Sequence, residues 1–85
     1  MIQQTREVRG IPLWLVKAYL IEIGGAELEL NVVQGQGWKV QIQQMADFQV
    51  GSIRVGQVRL DLEAEPEIYP ALTAALDMKF LRAGG

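Results

Sequence analysis

The sequence predicts an α+β domain: one strand, a helix, four strands and a second helix. The strands form a single antiparallel sheet with both helices on one face. Three observations carry this. Apolar residues recur at helical spacing over 12–23 and again over 66–82. Between those stretches the period drops to two. Glycine-rich turn signals divide the period-two region.

Residues 2–9 read as an edge-like strand, with Ile2 and Val8 on one parity and Thr5 and Val8 suited to extended backbone. Gly10 allows a sharp turn, and Pro12 suits the first turn of a helix. Leu13, Val16, Leu20 and Ile23 then stack on one helical face, and Gly24-Gly25 ends the helix. Leu28, Leu30 and Val32 alternate with Glu27, Glu29 and Asn31. A turn is expected at 34–37, after which Trp38, Val40 and Ile42 alternate with Lys39, Gln41 and Gln43. The chain is expected to turn again at Met45-Ala46-Asp47. Phe48 and Val50 are apolar at even positions, Ile53 and Val55 at odd ones, and the change of parity predicts a bulge at Gly51-Ser52. Gly56-Gln57 reads as a glycine-first turn. Val58, Leu60, Leu62 and Ala64 alternate with Arg59, Asp61 and Glu63, which predicts a strand facing the helices through its even residues. Pro66 opens the last helix, whose stripe is Leu72, Leu76 and Phe80.

Eighty-five residues, 49% hydrophobic and 21% charged, make a single domain over 1–85. Cysteine and histidine are both absent. That removes disulfides, thiol nucleophiles, imidazole bases and nearly every zinc, haem or iron–sulfur arrangement, so no cofactor, metal or enzymatic activity is expected. A net charge of -2 gives no general attraction to nucleic acid or anionic lipid. The apolar stretch over 11–23 is too short to span a bilayer, and the first ten residues carry no signal-peptide pattern. The expectation is a cytoplasmic protein with no membrane and no nucleic-acid partner.

Several motifs resolve into ordinary structure. Asp61 and Glu63 point to one side of a strand, but acid–base catalysis needs a carboxyl desolvated by burial, and these sit on the expected wet face near Arg54 and Arg59. Gly35-Gln36-Gly37 joins two strands and Gly24-Gly25 follows a helix, so neither is a phosphate loop. Lys39, Arg54 and Arg59 would need exposed aromatics to stack bases, and Trp38 and Phe48 fall on the expected buried parity.

Three features remain as candidates. The first helix carries an apolar arc of roughly 200°, at about 100° per residue, wider than the stripe a sheet covers. Trp14, Tyr19 and Ile23 on that arc are the candidate interface, for another protein or for a second copy in a homodimer. Trp38, Phe48, Leu60, Leu72, Leu76 and Phe80 would line an apolar ligand cavity between sheet and last helix. Gly84-Gly85 is the ending that ubiquitin-like sulfur carriers use, where an activating enzyme adenylates a slim tail. Helix capping and fraying account for it more simply.

Trp14-Leu15, Tyr19-Leu20, Glu22 and Gly24-Gly25 resemble the start of a small domain of unknown function from thermophilic bacteria. There it follows the ubiquitin-like domain of a protein related to the small, sulfur-carrying subunit of molybdopterin synthase. The likeness continues at Val50-Gly51-Ser52, Val58-Arg59, Glu63, Arg82 and Gly84-Gly85. It implies a TATA-binding-protein-like fold, which has the element order read above, and a link to molybdenum-cofactor or sulfur-transfer proteins. It implies no catalytic residue. The sequence opens directly on this domain, so a role that requires the fused ubiquitin-like domain is not expected. The leading expectation is a non-enzymatic accessory or interaction domain; ligand binding and sulfur carriage are the alternatives.

Overall fold

The computed structural model describes residues 1–84, with side chains through Leu81. Strand β1 spans Ile2–Arg9, helix α1 Leu13–Glu22, β2 Ala26–Glu29, β3 Val32–Gly35, β4 Trp38–Val50, β5 Ile53–Ala64 and helix α2 Tyr69–Gly84. The five strands form one antiparallel sheet in the order β1-β5-β4-β3-β2. Both helices cover the same face. Val58, Leu60, Leu62 and Ala64 of β5 are buried beneath them with Val40 and Ile42 of β4, Val33 of β3, Val16 and Leu20 of α1 and Leu72 and Leu76 of α2. Among the described residues, no helix is long and apolar enough to cross a membrane.

The strand count is as expected, but through two offsetting differences. The run over 28–32 is not one strand. Asn31 takes a left-handed φ of 62°, the chain turns at Leu30-Asn31, and two short strands pair where one was expected. Leu28 and Leu30 are therefore exposed, and Val33 enters the core in their place. Glu27 faces α1 rather than the open side of the sheet, and its carboxylate meets Lys17 at 2.9 Å. The expected turn at 34–37 shrinks to Gln36-Gly37, since Gln34 and Gly35 pair with β4.

Further on, turn and bulge exchange places. The turn expected at Met45-Ala46-Asp47 is a bulge inside a thirteen-residue strand: Met45 opposes Gln57 but Phe48 opposes Val55, three steps on β4 against two on β5. The bulge expected at Gly51-Ser52 is instead the turn, with Gly51 at a φ of 60°. Residues that flank a two-residue turn pair with each other and share a face, so the change of parity there needs no bulge. Gly56-Gln57 lies within β5, where the Gly56 carbonyl accepts the Gly10 N–H at 2.8 Å.

α1 begins one residue later than expected, with Pro12 as its N-cap and the Pro12 carbonyl accepting from Leu15 and Val16. α2 begins at Tyr69, not Pro66. Residues 66–68 form a turn in which the Glu65 carbonyl accepts from Ile68 and Tyr69. Pro70 falls in the first helical turn, where no intrahelical partner is lost.

Candidate functional site

α1 buries Val16 and Leu20 against the sheet, with Leu13, Leu15 and Ile23 half-buried beside them. Its outer side keeps Trp14, 68% exposed, and Ile21 about two helical turns further on. The inner edge meets α2. Tyr19 lies 6.5 Å from Phe80 between ring centroids, tilted by 55°, and the Lys79 ammonium sits 5.7 Å above the Tyr19 ring. The same ammonium donates to Glu22 at 2.6 Å. The structure thus separates the three candidate interface residues. Tyr19 packs on α2, Ile23 borders the core, and Trp14 alone of the three stands fully out in solvent.

The candidate ligand cavity is filled. Trp38, Leu60, Leu72 and Leu76 are core residues packed on one another, and Phe80 lies half-buried at their margin. Phe48 is not among them. The extra residue in β4 turns it onto the opposite face of the sheet, where it is exposed and lies under the Arg9 guanidinium, 3.7 Å from the ring centroid. The nearest cleft holds about 150 Å³ between Trp38, Leu72, Ile23, Ile68, Ala71, Ala75 and Gln36. Ligand pockets generally run from roughly 300 to 1,000 Å³.

The open face of the sheet is polar at its centre. Thr5 donates to Asp61 at 2.9 Å and Arg59 donates to the same oxygen at 3.2 Å. Gln57 donates to Glu7. These pairs satisfy one another on a wet surface around a shallow concavity of about 390 Å³ bordered by Lys39, Gln41 and Glu63. Among the described residues no three metal-ligating side chains converge. Glu27 is the group whose acidity the fold visibly changes. The Asn31 backbone N–H and then Lys17 hold its carboxyl below the ordinary range. This ties α1 to the β2–β3 turn; it is a structural contact.

The candidate carrier terminus lies at the edge of the described chain. Gly84 closes α2, and Gly85 lies outside the described residues. A group that sequence reasoning missed is the apolar strip of Phe48, Val50, Ile53 and Val55. Its signal was present in the glycine-first pair Gly51-Ser52, which places those four residues on one face once it is read as a turn.

Residues 4–85 match the family model described as archaeal MoaD-like protein. No curated protein matches the sequence.

Proposed function

The chain belongs to the archaeal MoaD-like protein family, and on that premise we propose that it is a non-enzymatic interaction domain that works in the cytoplasm beside sulfur-carrier or molybdopterin proteins. The resemblance to the small domain that follows a ubiquitin-like domain fits this reading. The observation that carries it is Trp14. A tryptophan left 68% exposed on a helix whose other face is locked into the core presents a large, rigid contact surface to a partner. Ile21 extends that surface along α1, and Lys17, drawn back toward Glu27, keeps its charge off the outer ridge.

The test is calorimetric titration of the domain with a purified ubiquitin-like sulfur carrier and with molybdopterin synthase. Binding is expected, with Trp14→Ala weakening it by about tenfold or more. Equal binding by wild type and variant, or no binding to either protein, counts against the reading. A parallel incubation with ATP and a sulfur-carrier activating enzyme, read by intact mass, covers the carrier alternative. A C-terminal adenylate or thiocarboxylate would replace the accessory role with carriage on Gly85. Because α2 runs through Gly84, the expected result is unchanged mass.

A further inference from the structure

The two outer strands of the sheet differ. β2 is four residues long, whereas β1 runs for eight without proline, glycine or bulge and pairs on one side only, with β5. The Gly10 N–H donates to the carbonyl of Gly56, which stands opposite it in the β1–β5 register. Antiparallel ladders alternate, so the backbone groups of Ile2, Gln4, Arg6 and Val8 turn toward β5, and those of Gln3, Thr5, Glu7 and Arg9 turn outward. Among the described residues no hydrogen bond fills this outward row.

A concavity of about 400 Å³ lies along the same edge. It is bordered by Arg6 and Val8, on the helix side of β1, by Glu7 and Arg9, on the open side, and by Ile11 and Phe80. Residues from both faces of one strand share a concavity across that strand's free edge. Its apolar wall is Val8, Ile11 and Phe80. Its two cations are already engaged: Arg6 pairs with Asp77 at 2.7 Å, and the Arg9 guanidinium lies 3.7 Å from the Phe48 ring centroid. Leu81, 76% exposed, follows Asp77 by four residues on the same side of α2 and carries apolar surface out toward the edge.

We propose that β1 pairs with β1 of a second copy about a twofold axis, joining two five-stranded sheets into one continuous sheet. Outward residues must meet outward residues, so the axis falls on a residue, and the side chains of β1 choose which. An axis at Arg6 or Glu7 sets like charges opposite each other. An axis at Gln4 sets Ile2 against Arg6. An axis at Thr5 sets Ile2 against Val8, Gln3 against Glu7 and Gln4 against Arg6, each twice by symmetry. The Gln3 amide then donates to a carboxylate. Gln4 already accepts from Arg6 of its own chain at 3.0 Å, and the second copy offers it the same contact. Asp61 stands one strand back from the axis, engaged by Thr5 and Arg59, and Arg9 lies beyond the last of these pairs. The same register brings Ile2 of each copy to Val8 of the other, against the wall completed by Ile11 and Phe80. A second copy thus supplies both the backbone partners and the apolar side chain that the edge lacks.

The test is molar mass by light scattering and sedimentation over roughly a hundredfold range of concentration. Wild-type mass is expected to climb from 9.5 kDa toward twice that value. Gln3 is exposed, so its variants are expected to keep the wild-type circular dichroism and melting transition. Gln3→Glu faces Glu7 of the second copy and is expected to weaken association about fivefold, whereas Gln3→Lys faces the same carboxylate and is expected to tighten it about fivefold. The chain has no cysteine of its own. Thr5→Cys, opposite itself across the axis, is therefore expected to oxidise to a disulfide-linked dimer; Gln3→Cys, roughly 14 Å from its twin in this register, is not. Trp14→Glu and Val50→Asp are expected to dimerise like wild type. A wild type that stays at 9.5 kDa throughout overturns the proposal. So do equal effects of Gln3→Glu and Gln3→Lys, or equal cross-linking of the two cysteine variants. A dimer lost in Trp14→Glu or Val50→Asp overturns it too, by moving the contact to α1 or to the β4–β5 tip.

Discussion

Glu27 ties the β2–β3 turn to α1 with one carboxylate, accepting from the Asn31 N–H at 3.0 Å and from Lys17 at 2.9 Å. Both contacts favour its charged form and lower its pKa in the folded state. The stability it supplies is therefore fully present above its ordinary value of 4.5 and is lost as pH falls through the lower folded value. Glu27→Gln is expected to melt below wild type at neutral pH, with the gap closing on acidification well below 4.5. A gap that stays constant in melts across that window would refute the linkage. Neighbouring residues of β5 give a sharper contrast. Leu60 is fully buried beneath the helices, and Leu60→Ala is expected to cost about 2–5 kcal/mol. The Arg59 and Asp61 side chains are 43% and 38% exposed. Their ion pair is screened by water, so Asp61→Ala is expected to cost under about 1 kcal/mol. Urea unfolding of the two variants reads the difference directly, and equal costs would contradict the register of β5.

At the scale of elements, the β3–β4 hairpin depends on a glycine for packing, not for its turn alone. Gly35 pairs with Trp38 across the hairpin, and the indole folds over the space a side chain would occupy. A Cβ at Gly35 would overlap the Trp38 ring at three atoms. Gly35→Ala must move that ring out of a core it shares with Val33 and Leu72, at an expected cost of about 1–3 kcal/mol. The emission of Trp38, read in a Trp14→Phe background so that the exposed indole does not mask it, is expected to shift to longer wavelength. Unchanged emission and stability would mean that Gly35 serves only its backbone.

Across the whole molecule, stability is distributed unevenly. The sheet body under α1 and α2 holds every buried apolar residue of β4 and β5, whereas residues 46–56, the two-stranded arm where β4 and β5 pair only with each other, hold none of that class. Surface ion pairs join β1 to α2, Arg6 to Asp77 at 2.7 Å, and α2 to α1, Lys79 to Glu22 at 2.6 Å, and both have an exposed partner. Local opening should follow burial. In hydrogen exchange at low protein concentration, amides of the arm are expected to exchange well before those of 58–64. Protection that is uniform along β5 would show that the arm is held as firmly as the body.

The sequence by itself determined the α+β class, the strand–helix–four strands–helix order, the helix-facing residues of β5 and the Val16–Leu20 seam of α1. Each follows from a period within one segment, and period is a local property. It also pointed to α1 as a helix with more apolar surface than a sheet covers. Only the tertiary structure decided which part of that surface is hidden. Tyr19 meets Phe80 because α2 packs beside α1, while Trp14 points away from both layers, and no pattern within α1 encodes where α2 will lie. Turn and bulge were likewise undecided by local pattern. Met45-Ala46-Asp47 and Gly51-Ser52 can each serve either role, and the choice rests on which residues pair across β4 and β5. A one-residue shift in that pairing moves a whole strand segment to the other face. For this reason Phe48, alternating in the sequence like a core residue, stands on the open side of the sheet instead.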